Sequence, residues 1–355
     1  MSLLPSYEDR IVKLRSSLFG EQALLVTDPL NIRYLVGFTG SNGSLLVTQN
    51  EVMLATDSRY EIQSAEQTSD ISIAIDRDLF GSLLVDLSCP ELLVEGKDMS
   101  ITQFEKLKSR FPKLVITVST DLVEQLRVIK DAYELTMISK ACAISTQALS
   151  DIVQEIVPGI TELAIAFKLE QQMRILGADD KAFETIVAVG SNSAIPHHEP
   201  TSKPIQLGDL LKIDFGAKVS GYHADCTRTF VLGKPASWQT DLHHAVLSAQ
   251  ASGRAKLRSG VSFSSVVSVV NDSLDAAGYG EYFSHGLGHG VGLAIHEDPF
   301  FSGSDNGKIE QNTVITVEPG AYLPGQGGVR IEDTVVITDD SYSNLTEFPH
   351  ELIAL

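Results

Sequence analysis

The sequence predicts a protein of two domains, a small α/β domain followed by a larger α+β domain. Its 355 residues are long for a single hydrophobic core, so two domains are the natural expectation. Short strand-like and helix-like segments alternate over the first third of the chain, as in an α/β domain. The pattern changes near residue 121, which divides the chain into a first domain of residues 1–121 and a second of residues 122–355.

The first domain contains short apolar runs separated by turn residues, a pattern typical of buried strands. Two intervening segments, residues 60–67 and 102–110, are predicted to be helices, the first of them exposed. The predicted strands are residues 23–27, 44–48, 52–55, 91–95 and 114–118.

The second domain is predicted to begin with two helices and to continue mainly as strands. Apolar residues from Leu135 to Ile156 recur mostly at steps of three and four, which predicts one amphipathic helix that ends before Pro158. Thr161 is a suitable N-cap for the next helix. Two later helices are predicted at residues 239–259 and 263–277, and strands at residues 186–189, 210–215, 225–231, 314–317 and 332–337.

Composition and charge exclude several classes of partner. The chain carries 27 Lys and Arg against 46 Asp and Glu, a formal net charge of −19. A field of this sign repels nucleic acid and anionic membranes, so neither is expected as a partner. No apolar run reaches the ~18 residues that span a bilayer, and the first residues lack a signal peptide's apolar stretch. The protein is therefore expected to be cytoplasmic, with Cys89, Cys142 and Cys226 as free and mostly buried thiols.

Five residues of the second domain give the strongest indication of function: Asp214, Asp225, His289, Glu318 and Glu332. Carboxylate oxygens suit hard divalent cations such as manganese, and one imidazole also admits cobalt, iron or zinc. Four carboxylates carry too much charge for one ion but suit two, because bridging carboxylates can serve both. Two ions roughly 3.5–4 Å apart generate a hydroxide nucleophile and polarise a carbonyl group. The sequence therefore predicts a dinuclear metallohydrolase.

The two aspartates lie on either side of a predicted hairpin. Asp214 closes the run LLKIDFG and Asp225 opens the run DCTRTFVL. A turn at Val219-Ser220 would pair the two aspartates, with Cβ atoms ~4.5–5.5 Å apart. Two buried carboxylates this close repel each other unless a cation lies between them. Val-Ser is not a favoured two-residue turn, so the register is approximate, and two surface aspartates flanking a turn are the alternative.

The segment HGLGHGVGLAIHEDP contains His285, His289 and His296 among closely spaced glycines. Glycine permits close approach of the backbone to a site, so this segment is predicted to belong to one. His289 is the predicted metal ligand, and His285 and His296 are predicted to donate hydrogen bonds to the substrate or to an oxyanion.

Three further segments supply candidate site residues. Glu318 ends a β-branched strand ahead of a Pro-Gly turn, and its apolar flanks favour an inward orientation. In GGVRIEDTVVIT, strand alternation places Arg330, Glu332 and Thr334 on one face, with an Arg330–Glu332 ion pair as the purely structural alternative. The histidines of the segment PHHEP are equally compatible with solvent and with a site.

Together these motifs resemble the pita-bread metallopeptidases, the family of methionine aminopeptidase, aminopeptidase P and prolidase. The resemblance covers residues 122–355, and PHHEP, DFGAKVSGYHADCTRTF, HGLGHGVGLAIHEDP and VEPGAYLPGQGGVRIED are similar to its proline-peptidase branch. It implies a pita-bread catalytic domain whose five ligand residues bind two divalent metal ions, Mn²⁺ in the first place and Co²⁺ or Zn²⁺ as alternatives. The stretch DPLNIRYLVGFTGSNGSLLVT, followed by TDSRYEIQ, resembles a creatinase-type N-terminal domain.

The resemblance also implies roles for residues around the metals. His197, His285 and His296 match substrate and oxyanion histidines of the family, and Arg330 matches an arginine linked to substrate recognition. Glu318 would carry a proton between the nucleophile and the leaving nitrogen. A homodimer is expected on the same ground.

The implied activity is that of a metal-dependent Xaa-Pro peptidase acting on proline-containing peptides, in which a hydroxide bridging two metals attacks the bond preceding proline. The pairing of GFTGS with TDSRY favours an aminopeptidase P-like enzyme, with Xaa-Pro dipeptidase (prolidase) as the alternative. Hydrolysis of a small non-peptide amide is a third possibility. A non-catalytic binding scaffold is disfavoured because all five ligand positions are filled.

Overall fold

The computed structural model of the protein describes residues 4–301 and 307–355. The chain forms two compact units, which meet in sequence between Arg127 and Val128. Residues 1–3 of the predicted first domain and residues 302–306 of the predicted second domain lie outside the described residues.

The first unit, over residues 4–127, is built on a mixed six-stranded sheet. The strands are β1 (Gln22–Val26), β2 (Gly43–Val47), β3 (Val52–Thr56), β4 (Ser72–Ile75), β5 (Glu91–Glu95) and β6 (Val115–Ser119). The helices are α1 (Tyr7–Ser16), α2 (Pro29–Val36), α3 (Glu61–Gln67), α4 (Leu79–Leu84), α5 (Ile101–Arg110) and α6 (Leu122–Val128). The strand order is β4-β3-β2-β1-β5-β6, and buried aliphatic side chains of the central strands pack against α4 and α5. The predicted α/β layout of this part of the chain is confirmed.

The second unit combines four long helices with several small antiparallel sheets, as far as residues 128–301 and 307–355 describe it. The helices are α7 (Ala132–Ile152), α8 (Glu162–Ile175), α9 (Ser237–Lys256) and α10 (Phe263–Ala276). The earlier strands are β7 (Asp180–Lys181), β8 (Ile186–Val189), β9 (Leu210–Phe215), β10 (Ala217–Val219), β11 (Tyr222–His223) and β12 (Cys226–Val231). The later strands are β13 (His289–Gly290), β14 (Glu297–Phe300), β15 (Val314–Val317), β16 (Gly320–Leu323), β17 (Gly327–Arg330), β18 (Asp333–Ile337) and β19 (Tyr342–Asn344).

Each pair of helices covers its own sheet. Helices α7 and α8 pack with the sheet β12-β9-β8 in one apolar cluster, which includes Cys226 on the inner side of β12. Helices α9 and α10 pack with β15 and β18 of the sheet β14-β13-β15-β18-β19 in a second cluster. This arrangement confirms the predicted α+β class.

Local hydrogen bonds account for the limits of the first two helices of this unit. Asp131 and Glu134 form a reciprocal capping box that begins α7. The helix ends at Ile152, where the chain tightens into a 3₁₀ turn, so the predicted single helix reaching Ile156 was four residues too long. The Thr161 hydroxyl accepts a hydrogen bond from the backbone N–H of Ala164 and caps α8, as predicted.

The two sheets are joined at the strands that carry the candidate ligands. The backbone N–H of Glu332, just before β18, donates to the carbonyl oxygen of Thr227 in β12 at 3.1 Å. Behind this junction the Arg228 guanidinium donates to the Glu332 carbonyl oxygen at 2.6 Å and to Asp333 Oδ1 at 2.7 Å. Burial by itself would raise the pKa of Asp333, but Arg228 and a hydrogen bond from His350 lower it below its ordinary value.

We predict that replacing Asp333 with Ala lowers the free energy of unfolding by about 3–5 kcal/mol, because the buried Arg228 guanidinium loses its counter-charge. Chemical denaturation of the metal-free protein measures the change. Asp339→Ala, at an exposed aspartate just after β18, is the matched control and should be nearly neutral. A loss below about 1 kcal/mol for D333A would mean that the ion pair does not hold the two sheets together.

Candidate metal centre

The five predicted ligand residues converge on one cavity of about 490 Å³ in the second unit. Each lies in or next to a strand: Asp214 in β9, Asp225 just before β12, His289 in β13, Glu318 just after β15 and Glu332 just before β18. Four of the five are buried, with less than a tenth of their surface accessible, and Glu318 is partly buried. The fold therefore brings together side chains that are up to 118 positions apart in the printed sequence.

The hairpin that joins the two aspartates has a different register from the predicted one. Its turn is formed by Ser220 and Gly221, with φ of 49° and 81°, so both central residues have the positive φ that a type I′ turn requires. Asp214 consequently pairs with Thr227 instead of Asp225. The shift is two residues, and because side chains alternate faces every residue, Asp225 still points to the same side as Asp214.

The carboxylates form a cluster of like charges that is poorly compensated. Burial raises the pKa of Asp225 well above its ordinary value, and the charges of Asp214 and Glu318 add to the shift. Burial likewise raises the pKa of Glu332, with Asp225 and Glu318 contributing. Burial raises the pKa of Glu318 to about 7, against the opposing influence of His289 and Arg330. Without cations, the cluster reduces its repulsion by holding protons.

Divalent cations fit this arrangement. Ligand atoms of Asp225, His289 and Glu332 lie within 4.8 Å of one another. Asp214 Oδ1 is buried and has no hydrogen-bond partner among the described residues, which leaves an acceptor that an ion would satisfy. Four carboxylates and one imidazole are a donor set for manganese, cobalt or zinc.

Close backbone packing fixes the orientation of His289. A Cβ atom on Gly288 would lie 2.2 Å from the carbonyl oxygen of Thr316, so this position requires glycine. The His289 Nδ1–H donates to the carbonyl oxygen of Gly290 at 3.0 Å, which leaves Nε2 as the ligand atom. That Nε2 lies 3.5 Å from Asp225 Oδ2 and 3.5 Å from Glu318 Oε1.

Arg330 forms an ion pair with Asp214. The Arg330–Glu332 ion pair, which was the alternative expectation from the sequence, is not found among the described residues. Arg330 Nη2 donates to Asp214 Oδ2, and its Nε donates to the Thr227 hydroxyl at 3.0 Å. The Thr227 hydroxyl in turn donates to Glu332 Oε2 at 2.6 Å. Arg330 and Thr227 therefore orient two of the predicted ligands.

Tyr322 links Arg330 to His285, a contact that no pattern in the sequence indicates. Arg330 Nη1 donates to the Tyr322 hydroxyl at 2.8 Å, and that hydroxyl donates to His285 Nε2 at 2.8 Å. The His285 Nδ1–H donates to the carbonyl oxygen of Gly286 at 2.8 Å, so both ring nitrogens are occupied. Burial lowers the pKa of His285 to about 4, with Arg330 adding to the effect, and the ring is neutral at pH 7.

The remaining histidines differ in their freedom to contact a ligand. His197 is exposed and lines the cavity, whereas His198 is buried and contacts Glu162 through Nε2 at 2.9 Å. His296 packs edge-on against His289, with ring centroids 4.4 Å apart, and has no hydrogen-bond partner among the described residues. His197 and His296 are therefore the histidines whose ring nitrogens can face a substrate.

Two known protein families match consecutive parts of the chain. The family model described as metallopeptidase family M24 matches residues 136–339, and that of the creatinase/prolidase N-terminal domain matches residues 10–129. The chain belongs to metallopeptidase family M24. Membership of the M24 family confirms the predicted enzyme class and the predicted architecture, a creatinase-like domain followed by a pita-bread catalytic domain.

Relatives of the M24 family match almost the whole chain. An Xaa-Pro dipeptidase of Pyrococcus furiosus is 35% identical over 93% of this chain and 94% of its own length. The solved structure of an Xaa-Pro dipeptidase from Bacillus anthracis has a TM-score of 0.94 and 33% identity, and it covers 99% of this chain and 100% of that one. An X-Pro aminopeptidase structure from Thermotoga maritima has a TM-score of 0.90 and 36% identity, with 96% and 99% coverage.

The structure also bears on the membrane prediction. Within the described residues, no helix has both the length and the apolar character needed to cross a bilayer.

We predict that Asp225→Asn abolishes stoichiometric binding of manganese or cobalt while the metal-free protein stays folded. Removing one of several buried like charges relieves repulsion, so the metal-free variant should unfold at a temperature no lower than that of the wild type. Elemental analysis after gel filtration measures metal content, and thermal denaturation measures stability. Asp339→Asn is the matched control. Full metal content in D225N would contradict the assignment of this centre.

We also predict that bound metal changes the pH dependence of stability. Glu318 has a pKa of about 7 in the folded protein against an ordinary value of 4.5. Between these values Glu318 binds more protons in the folded state than in the unfolded state, so it contributes stability to the metal-free protein as the pH falls from 7 towards 4.5. His285 and His296 oppose this contribution, because burial lowers the pKa of each to about 4 and the unfolded state therefore binds protons first. Saturating metal displaces the carboxylate protons, and the metal-loaded protein should lose stability over the same window.

Denaturation series at several pH values, in chelator and in excess manganese, measure this difference. Glu318→Gln removes one carboxyl group whose pKa is raised. As the pH falls, the metal-free variant should therefore gain less stability, or lose more, than the metal-free wild type. Parallel pH profiles in chelator and in manganese would show that the carboxylates do not exchange protons for metal.

Proposed function

We propose that this chain is a metal-dependent Xaa-Pro dipeptidase that holds two divalent ions, manganese in the first place and cobalt or zinc as alternatives. The ligands would be Asp214, Asp225, His289, Glu318 and Glu332. The observation that carries the proposal is their convergence in one cavity, in a chain that relatives named Xaa-Pro dipeptidase match over 93% of its length. A cavity of about 490 Å³ is in the size range of small-ligand sites and suits a short peptide.

The bound ions would supply a hydroxide nucleophile at neutral pH and would polarise the scissile carbonyl group. Glu318 has 17% of its side chain accessible, more than the other ligand residues. We therefore assign it the transfer of a proton to the leaving nitrogen, which must be protonated as the bond to proline breaks. The nitrogen belongs to a tertiary amide, and like every amine leaving group it takes this proton from the enzyme or its water.

Some histidines would contact the substrate, and one would support the site. His296 and His197 line the cavity with ring nitrogens able to donate to the substrate carbonyl or its oxyanion. His285 would support the site through Tyr322 and Arg330, because both of its ring nitrogens are already hydrogen-bonded. Apolar side chains of the cavity wall, including Phe183, Ile186 and Phe300, offer surface for the proline ring.

The choice of dipeptides as substrates rests on the relatives. Their names support the dipeptidase alternative better than the aminopeptidase P-like activity that the N-terminal motifs favour. The X-Pro aminopeptidase structure from Thermotoga maritima, at 36% identity, favours the cleavage of longer Xaa-Pro peptides as a second candidate. Both reactions use the same metal centre and break the same bond. They differ in whether the substrate ends at proline or continues beyond it.

We predict metal-dependent release of the first residue from an Xaa-Pro dipeptide, with much slower release from the matching Xaa-Pro-Yaa tripeptide. The assay compares metal-stripped protein with the same protein after addition of manganese or cobalt. Glu318→Gln should lower kcat by about 10²–10⁴-fold, the range for loss of a general acid–base group. An Xaa-Ala dipeptide is the control substrate.

Each outcome decides between the candidates. Faster cleavage of the tripeptide would replace the dipeptidase proposal with the aminopeptidase. No cleavage of either peptide by a folded protein that carries two metals would overturn both, and small non-peptide amides would then be tested.

A further inference from the structure

Lys212 is a buried lysine whose role the metal chemistry does not explain. It lies in β9 two residues before Asp214, and therefore on the same face of the strand. Its side chain is fully buried, and it does not line the cavity. The ammonium group donates to the carbonyl oxygens of Ile195 at 2.6 Å and Pro196 at 3.2 Å, and it lies 5.0 Å from the centroid of the Tyr322 ring.

These two carbonyl groups belong to the segment that leads into His197. The Pro196 carbonyl oxygen also accepts from Arg330 Nη1 at 3.1 Å, so two buried side chains donate to the same peptide group. On the other side of His197, His198 contacts the buried Glu162 at 2.9 Å. His197 itself is exposed to the cavity between these two fixed points.

The loss of hydration disfavours a lysine at this buried place. Burying an ammonium group costs several kcal/mol in lost hydration. Among the described residues, no carboxylate is close enough to Lys212 to form an ion pair with it. An apolar side chain of similar length would fill the same space without this penalty. It would not, however, hold the Ile195 and Pro196 carbonyl groups in place.

We propose that Lys212 is a positioning residue, which fixes the Ile195–Pro196 backbone so that His197 points at the substrate. The inference rests on the proposed function in one respect, namely that His197 contacts the substrate. Lys212 would act through His197 and would not touch the reacting atoms itself.

A double-mutant cycle tests this coupling. Lys212→Met should lower kcat/KM for the preferred Xaa-Pro substrate by about 10–100-fold, the order expected for a catalytic group displaced by about 1 Å. In a His197→Ala background the same substitution should cost less than about 3-fold, because the group that Lys212 positions is already absent. Equal losses in both backgrounds, or no loss in the wild-type background, would overturn the proposal.

The matched control is Lys203→Met. Lys203 also donates to a backbone carbonyl, that of Val189 at 2.9 Å, and to the Ser191 hydroxyl at 3.3 Å, but among the described residues it has no hydrogen bond to Ile195 or Pro196. Its replacement should leave kcat/KM within about 3-fold of the wild type in both backgrounds. Should Lys212→Met fail to fold, Lys212→Gln, which keeps an N–H donor, takes its place in the cycle with a smaller expected loss.

Two further measurements separate this inference from the proposed function. Amide hydrogen exchange over residues 195–200 should be faster in K212M than in the wild type and K203M, and unchanged exchange would overturn the positioning itself. Metal content should stay at the wild-type level, because loss of metal would mean that Lys212 acts through Asp214. Absence of Xaa-Pro cleavage in the wild type, with faster exchange in K212M, would overturn the proposed function and with it the part of the inference that involves the substrate.

Discussion

Four closely spaced carboxylates beside one buried guanidinium group are the constraint on which the catalytic unit depends. Two buried ion pairs elsewhere in this unit balance their charges: Lys130 with Glu297 at 2.9 Å, and Arg228 with Asp333 at 2.7 Å. At the metal centre the charges do not balance, and the fold holds them together nonetheless. A local conflict of this kind, inside a structure that is otherwise consistent, is expected where a ligand completes the site.

Strand β12 contributes residues both to the metal centre and to the packing that supports it. Its alternate residues point in opposite directions, so Thr227 faces the metal centre while its neighbours Cys226 and Arg228 face away from it. Cys226 fills the apolar cluster beneath α7 and α8. Arg228 ties β12 to the Glu332 carbonyl group and to Asp333. Alternate residues of β12 thus face the ligands, and the residues between them make contacts that stabilise the backbone carrying those ligands.

Much of the candidate site could be predicted from the sequence, and the same physical reasons explain why the rest could not. A register error of two residues leaves each side chain on the same face of the strand. The two aspartates were therefore correctly placed on one face, although Asp214 pairs with Thr227. The turn itself was misplaced because Ser220 adopts a positive φ, which is uncommon for serine. Strands of two residues, such as β7, β11 and β13, are too short to produce a period. The contacts of Lys212 could not be predicted, because a single lysine in the run LLKIDFG does not reveal what its side chain contacts.

The charge balance of the centre also explains why Arg330 is useful there. Two divalent cations would carry four positive charges, the number of negative charges on the four carboxylates. The hydroxide that the ions would supply adds one negative charge, which Arg330, 2% exposed and hydrogen-bonded to Asp214, would offset. A fixed positive charge in a site of low dielectric favours the state in which negative charge develops on the substrate. Each of the three guanidinium nitrogens of Arg330 already donates to a protein group. Within the proposed function, Arg330 would therefore favour an oxyanion through its field, and His197 and His296 would contact the substrate.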